Sequence, residues 1–211
     1  LIPPSEFLPL IETTELIHAL TAHMLRGSVR QSHAWRQEGL AVPIAVNLST
    51  RNLNGGKLAH GLLSLLSRWN GTPDWIGLEI TESSLLLDPE AAIDELNTLS
   101  RLGFKLFIDD FGTGYSSLNY LTRMPVNVIK IDHGFTTAML SDKRAATIVK
   151  ATIDLAHELG MAVVAEGTAS RQIWDALAAC GCDEAQGFYV APPLPSHEFL
   201  TWVRNSHLHP H

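Results

Sequence analysis

The sequence predicts an α/β protein of the TIM-type (β/α)8-like barrel class. Six apolar runs alternate with stretches of helical periodicity along the chain. The runs are continuously apolar, the pattern of parallel strands covered on both faces. Each run also ends in polar groups: Asn47, Glu79, Asp109 with Asp110, Lys130 with Asp132, Glu166, and Gln186. An open doubly wound sheet would hold some of these groups far apart, whereas a barrel turns all C-terminal strand ends to one mouth. Convergence favours the barrel.

Residues 2–5, Ile-Pro-Pro-Ser, read as a linker ending in a helix cap, after which Phe7, Leu10 and Ile11 recur at helical spacing. A second helix is expected over 15–38, with Leu16, Leu20, Met24 and Trp35 in the core and Gly27 as a candidate interruption. Strand 41–48 precedes a helix over 57–69 that carries Leu58, Leu62, Leu65 and Leu66. After strand 75–80, Asp88 as N-cap, Pro89 at the first position and Glu90 in the first turn start a helix running to Arg101. Strand 104–108 stops at Asp109-Asp110, a turn containing Gly112 and Gly114 follows, and a helix is expected from Ser116. Strand 128–131 leads to a helix over 142–159 stopped by Gly160. Strand 162–165 precedes a helix capped by Ser170 and ended by Gly181. Gln186-Gly187-Phe188 is placed in a last short strand, the final helix starts at Ser196, and the His-rich residues 207–211 are expected to be disordered.

At 211 residues, one domain is the default, and 45% hydrophobic against 18% charged residues is the composition of a globular core. A net charge of −7 argues against a sequence-independent nucleic-acid binder, so DNA is not an expected partner. Cys180 and Cys182 are the only cysteines and suit a reducing compartment. No apolar run reaches bilayer length and no signal peptide is visible. The expected location is cytoplasmic, including the cytoplasmic part of a longer membrane-tethered protein.

One mouth would collect Glu79, Asp109, Asp110, Asp132 and Glu166 around Lys130. So many carboxylates cannot all stay ionised at close range without cations or shared protons, and a bound divalent metal resolves the conflict. The donors are oxygens and one Asn amide, with His133 the only imidazole nearby, which suits Mg²⁺ or Mn²⁺ and argues against zinc. Adjacent aspartates allow a carboxylate to bridge two ions, as in-line phosphoryl displacement uses them. Simpler roles exist one at a time: Asn47 capping the next turn, Glu79 paired with a lysine, Lys130 a counter-ion. Together they would need independent reasons for one shared position. A glycosidase would need neither the adjacent aspartates nor the lysine.

Asn47-Leu48-Ser49, Glu79-Ile80-Thr81-Glu82-Ser83, the run from Asp109 through Phe111, Gly112, Gly114 and Tyr115 to Leu118, Lys130-Ile131-Asp132, Ala165-Glu166-Gly167 and Gln186-Gly187 stand in the order and spacing of the EAL domain family. The chain resembles that family over residues 4–203, so that 1–211 reads as one EAL-type domain with a tail at 204–211. The resemblance implies a bacterial cyclic di-GMP phosphodiesterase or receptor on a modified TIM barrel that often forms a homodimer. Active members hydrolyse cyclic di-GMP to linear pGpG with one or two Mg²⁺ or Mn²⁺ ions. By motif, Asn47, Glu79 and Asp109 would be metal ligands and Asp110 would serve a second ion. Lys130 would contact the attacking water or stabilise developing charge, with Asp132 in support. Glu166 would be ligand or general base. Gln186 would hold the site or substrate, and Glu82 would anchor the loop after Asp110.

Three departures accompany the resemblance. The Glu-Ala-Leu motif itself belongs on a strand upstream of residue 4, so the first barrel strand is missing and a longer protein is expected, with a diguanylate cyclase-like domain, a sensor domain or a membrane segment as the open alternatives for what precedes residue 1. Thr168-Ala169 stands where the family has Val-Glu, and His133-Gly134 where it commonly has Arg-Ser. Two readings follow: the intact protein is a metal-dependent phosphodiesterase, favoured by the retained acids and Lys130, or the domain is a degenerate receptor or interaction module, favoured by Ala169 and the missing glutamate.

Overall fold

Apolar runs become parallel strands and periodic stretches become helices in the computed structural model, which describes residues 2–53, 56–82, 89–114 and 121–206. The chain divides into two units, residues 1–105 and 106–211. Among the described residues, no helix is long and apolar enough to cross a membrane.

The first unit contains α1 (Pro4–Ile11), α2 (Leu16–Gln37), β1 (Ile44–Leu48), α3 (Thr50–Leu53), α4 (Leu58–Ser67), β2 (Ile76–Thr81) and α5 (Pro89–Arg101). β1 and β2 are parallel, from Ile44 opposite Ile76 to Leu48 opposite Ile80. The core holds Ile76, Leu78 and Ile80 of β2, Leu62 and Leu66 of α4, and Leu96 and Leu99 of α5. The start of α4 is satisfied from outside the helix: buried Glu95 of α5 accepts a 3.0 Å hydrogen bond from Ala59 N. A carboxylate there meets both the unpaired N–H groups and the positive end of the helix dipole.

Several sequence-based expectations are corrected in this unit. Ser5 falls inside α1, whose N-cap is Pro3, with Pro4 in the first turn. Gly27 does not interrupt α2, because one glycine costs only about 1 kcal/mol in a helix held by packing. The buried stripe of α2 is Ile17, Thr21, Leu25, Ser28, Val29 and Ser32, whereas Leu16 and Met24 are 62% and 49% exposed. Apolar residues occur on two sides of this helix, and the side that packs admits three hydroxyls. Residues 41–43 stay outside β1, where Pro43 has no N–H to give a ladder.

The second unit contains most of β3 (Lys105–Phe111), then β4 (Val128–Ile131), α6 (His133–Ala138), α7 (Lys143–Glu158), β5 (Ala162–Ala165), α8 (Arg171–Cys180), β6 (Glu184–Ala185) and α9 (Ser196–Asn205). β3–β4, β4–β5 and β5–β6 all pair in parallel, and β4 is buried along its whole length. Asp142 caps α7 by accepting from Arg144 N at 2.8 Å, and Ser170 caps α8 by accepting from Ile173 N at 3.3 Å, the second cap as expected. Gly181 ends α8 in the left-handed conformation that glycine adopts without a Cβ penalty. Here β3 runs on past residue 108 to Phe111, α6 was not anticipated, and Gln186 lies just beyond β6 rather than in it. The Asp88 cap, Ser83, the 115–118 stretch with its helix from Ser116, and the 207–211 tail lie outside the described residues.

Asp183 ties three of these elements together. Its Oδ2 accepts from Val163 N of β5 at 2.8 Å and pairs with His157 Nε2 of α7 at 2.9 Å, immediately before β6. Burial pushes this carboxyl upward, but the hydrogen bonds from His157 and Val163 outweigh it and hold Asp183 below its ordinary value. A depressed folded-state pKa stabilises the fold above the unfolded-state value, and that contribution disappears as pH falls through the folded-state value. Asp183→Ala is expected to cost about 1–2 kcal/mol at pH 7 by urea denaturation. The gap to wild type should close below the ordinary carboxylate range; an unchanged gap at strongly acidic pH would assign the loss to packing instead.

Candidate metal centre

The site in the second unit begins with an irregularity in β3. Ile108 pairs with Ile129, but Phe111 pairs with Ile131, so two residues, Asp109 and Asp110, oppose the single residue Lys130. This is a β-bulge, and Asp110 takes the strain at φ 54°, a conformation that aspartate tolerates better than most residues. Thr113 secures the turn by donating to Asp110 O through its hydroxyl at 2.8 Å and its N–H at 3.3 Å. The bulge therefore brings two consecutive carboxylates beside one lysine.

Lys130 is 4% exposed. Its Nζ stands 3.0 Å from Asp109 Oδ1 and 2.7 Å from Glu166 Oε1. Asp109 Oδ1 also accepts from Asp110 N at 3.0 Å. Lys130 aligns with Val164 on β5, so Glu166, two residues further along, continues on the same face. Carboxylate oxygens of Asp109, Asp110 and Glu166 lie within 4.8 Å of one another. Burial first, then the charges of Asp109 and Asp132, raise the Asp110 pKa, with Lys130 and His133 only partly offsetting them. The cluster is thus short of positive charge. Its donors are all oxygen, closely spaced and partly desolvated, which fits a hard divalent cation.

The other expected site residues are placed as follows. Asp132 serves the fold directly: Oδ1 accepts from Gly134 N at 2.9 Å as the cap of α6, and Oδ2 pairs with His133 Nδ1 at 2.9 Å. In the first unit, Asn47 and Glu79 are register partners on neighbouring strands and so share one face. Asn47 is exposed and makes no side-chain hydrogen bond among the described residues, so it does not cap the following turn. Ser49 N donates instead to Asn52 Oδ1 at 3.2 Å. Glu79 and Glu82 are both buried, at 7% and 4% exposure. Gln186 has an exposed side chain, while its N–H donates to Ala165 O at 2.8 Å.

Sequence reasoning missed the part played by Gly187. Thr168 N donates to Gln186 O at 3.0 Å, and Tyr189 N donates to Thr168 O at 3.0 Å, lacing the segment after Gln186 to the segment after Glu166. A Cβ on residue 187 would lie 2.3 Å from Thr168 O and 2.4 Å from Thr168 N. Only glycine permits that approach. The Gln-Gly pair was the available signal, but it does not name the backbone it meets.

The EAL domain family matches residues 1–193 of the chain. The chain is 39% identical over 204 residues to the bifunctional diguanylate cyclase/cyclic di-GMP phosphodiesterase MucR of Pseudomonas aeruginosa, covering 96% of this chain and 30% of that protein. It is 32% identical over 205 residues to the cyclic di-GMP phosphodiesterase RocR of the same organism, covering 97% of this chain and 52% of RocR. The chain spans about a third of the length of the first curated relatives it matches, 30% and 35%. Among solved structures, the MucR phosphodiesterase in complex with c-di-GMP matches with a TM-score of 0.89 at 38% identity, over 94% of this chain and 81% of that one. The EAL enzyme Bd1971 with cAMP and cyclic di-GMP bound matches with a TM-score of 0.89 at 29% identity, over 95% of this chain and 55% of that one.

Proposed function

Because this chain belongs to the EAL domain family, whose members are TIM-like barrels, we propose that it hydrolyses cyclic di-GMP to linear pGpG with bound Mg²⁺ or Mn²⁺. The observation that carries this reading is the buried Lys130 between Asp109 and Glu166, with Asp110 completing three carboxylates within 4.8 Å. A degenerate binding domain has no chemical need to bury that arrangement.

Asp109, Asp110 and Glu166 are the residues to hold the cation, and the motif resemblance assigns Asn47 and Glu79 to the same task. When bound, the ion neutralises phosphate charge and lowers the pKa of water. Lys130 orients the carboxylates of Asp109 and Glu166 and stabilises negative charge developing on the phosphate oxygens. Glu166 accepts the proton of the attacking water; as the new phosphorus–oxygen bond forms, the bond to the departing sugar oxygen breaks, and that oxygen takes up a proton from solvent. Asp132 supports the site by fixing the start of α6, while Gln186 and Glu82 hold substrate or loop. A homodimer, which the family resemblance implies, is read by light scattering on the same sample.

The test is chromatography of cyclic di-GMP incubated with the protein and Mn²⁺. Formation of pGpG that stops on chelation is the expected outcome. Binding without cleavage would replace the enzyme with a receptor, and neither binding nor cleavage would remove the ligand assignment.

Gly187→Ala tests how Glu166 is positioned. The added methyl meets the Thr168 backbone, so either the Gln186 or the Glu166 segment must shift. Overpacking of this kind costs about 1–3 kcal/mol. A displacement of about 1 Å in a catalytic group costs about a hundredfold in turnover. The expected result is a hundredfold lower kcat with near-normal KM in a protein that remains folded; an unchanged kcat would show that the lacing does not set Glu166.

A further inference from the structure

The first unit carries a groove that the catalytic reading does not use. It lies between α2 and α4 and comprises two adjoining cavities of about 640 and 490 Å³ that share Arg26, Leu65 and Arg68. Its walls present four exposed cations, Arg26, Arg30, Lys57 and Arg68, in a chain whose net charge is −7. None of the four is in an ion pair among the described residues. The single acid at the groove, Glu15, is already paired with Arg51 at 2.7 Å. The floor is apolar, formed by half-buried Ala22, Leu58 and Leu65.

Two helix-interior glycines border the groove, Gly27 of α2 and Gly61 of α4. A Cβ on either would meet nothing within 4 Å. Glycine in a helix is unfavourable by about 1 kcal/mol relative to alanine, and nothing within the described chain requires it at these positions. Room for a close approach from outside explains both.

We propose that this groove docks an acidic amphipathic helix of a protein partner. The groove follows α2 from residue 15 to residue 30, about 22 Å at the helical rise, the length of a four-turn helix and longer than one small anion needs. Leucines along the floor accept an apolar stripe, and cations along the rim meet glutamates flanking that stripe. A bilayer would not fit a concave surface between two helices. A nucleic acid would meet the repulsion of the whole chain's negative charge and gain little from an apolar floor.

The test uses a fluorescein-labelled 16-residue peptide with leucine at i, i+3, i+4 and i+7 and glutamate elsewhere, titrated with the protein and followed by anisotropy. Saturable binding is expected, weakened at least tenfold by Arg26→Glu/Arg68→Glu and by higher salt. Gly27→Leu, which fills the groove without altering charge, should weaken it similarly, with circular dichroism confirming that each variant is folded. A peptide carrying lysine in place of glutamate should not bind. Absence of binding, equal binding of both peptides, or binding indifferent to the substitutions would overturn the proposal. Displacement of the peptide by low concentrations of inorganic tripolyphosphate would overturn it in favour of a small-anion site.

Discussion

Glu166→Gln should yield a folded protein whose cyclic di-GMP turnover is about a thousandfold lower, within the range associated with loss of a general base. Glutamine keeps the shape of the side chain, and its carbonyl oxygen can still accept from Lys130 Nζ, which stands 2.7 Å from Glu166 Oε1 in wild type. The backbone bond from Glu166 N to Ile131 O is untouched. What disappears is the negative charge and the ability to take a proton. Stability should therefore stay within about 1 kcal/mol of wild type, because removing one of several crowded carboxylates relieves like-charge repulsion as it weakens the contact with Lys130. The measurement is pGpG formation beside a urea midpoint. Turnover within tenfold of wild type would take Glu166 out of the chemistry, whereas unfolding would show that Lys130 depends on its charge to remain buried.

The residues of this prediction were legible in the sequence for one physical reason. A parallel strand buried on both faces is apolar throughout, so a polar residue where the run stops marks the strand's end. Glu166 after Val163-Val164-Ala165 follows that rule, whereas Lys130 after Val128-Ile129 falls one residue short of the end of β4. The aspartates followed it only in part. The apolar run stops at Ile108, yet β3 continues to Phe111 through a bulge whose left-handed residue is Asp110. A non-glycine residue in that conformation leaves no signature, and its consequence, two carboxylates against one lysine, depends on the register with β4. The face of α2 was obscured for a different reason. Leu16 and Met24 satisfy helical spacing as well as Ile17 and Leu25 do, and only tertiary packing decides between the two stripes. The contact of Gly187 with Thr168 joins chain segments nineteen residues apart and is likewise a fact of the fold alone.

Lys130→Met is expected to produce a loss of the opposite kind, in which stability falls together with activity. Methionine preserves much of the length and apolar bulk of the lysine stem but leaves Asp109 and Glu166 facing one another without the ammonium that stands 3.0 and 2.7 Å from them. Removing one member of a buried, hydrogen-bonded ion group costs about 3–5 kcal/mol, because the remaining charges stay desolvated. Turnover should fall about a hundred- to a thousandfold, the loss seen when a preorganised donor to developing negative charge is removed. The two effects separate through added cation. If Asp109, Asp110 and Glu166 form the metal centre, Mn²⁺ bound there replaces part of the missing charge, and it stabilises the folded state by mass action. Saturating Mn²⁺ should then raise the urea midpoint of Lys130→Met more than that of wild type, while turnover stays low because the ion does not restore the lysine's own donors. An equal rise in both proteins would place the cation away from Lys130. A variant as stable and as active as wild type would reduce this lysine to a spectator, and the proposed chemistry would lose the residue that holds its carboxylates together.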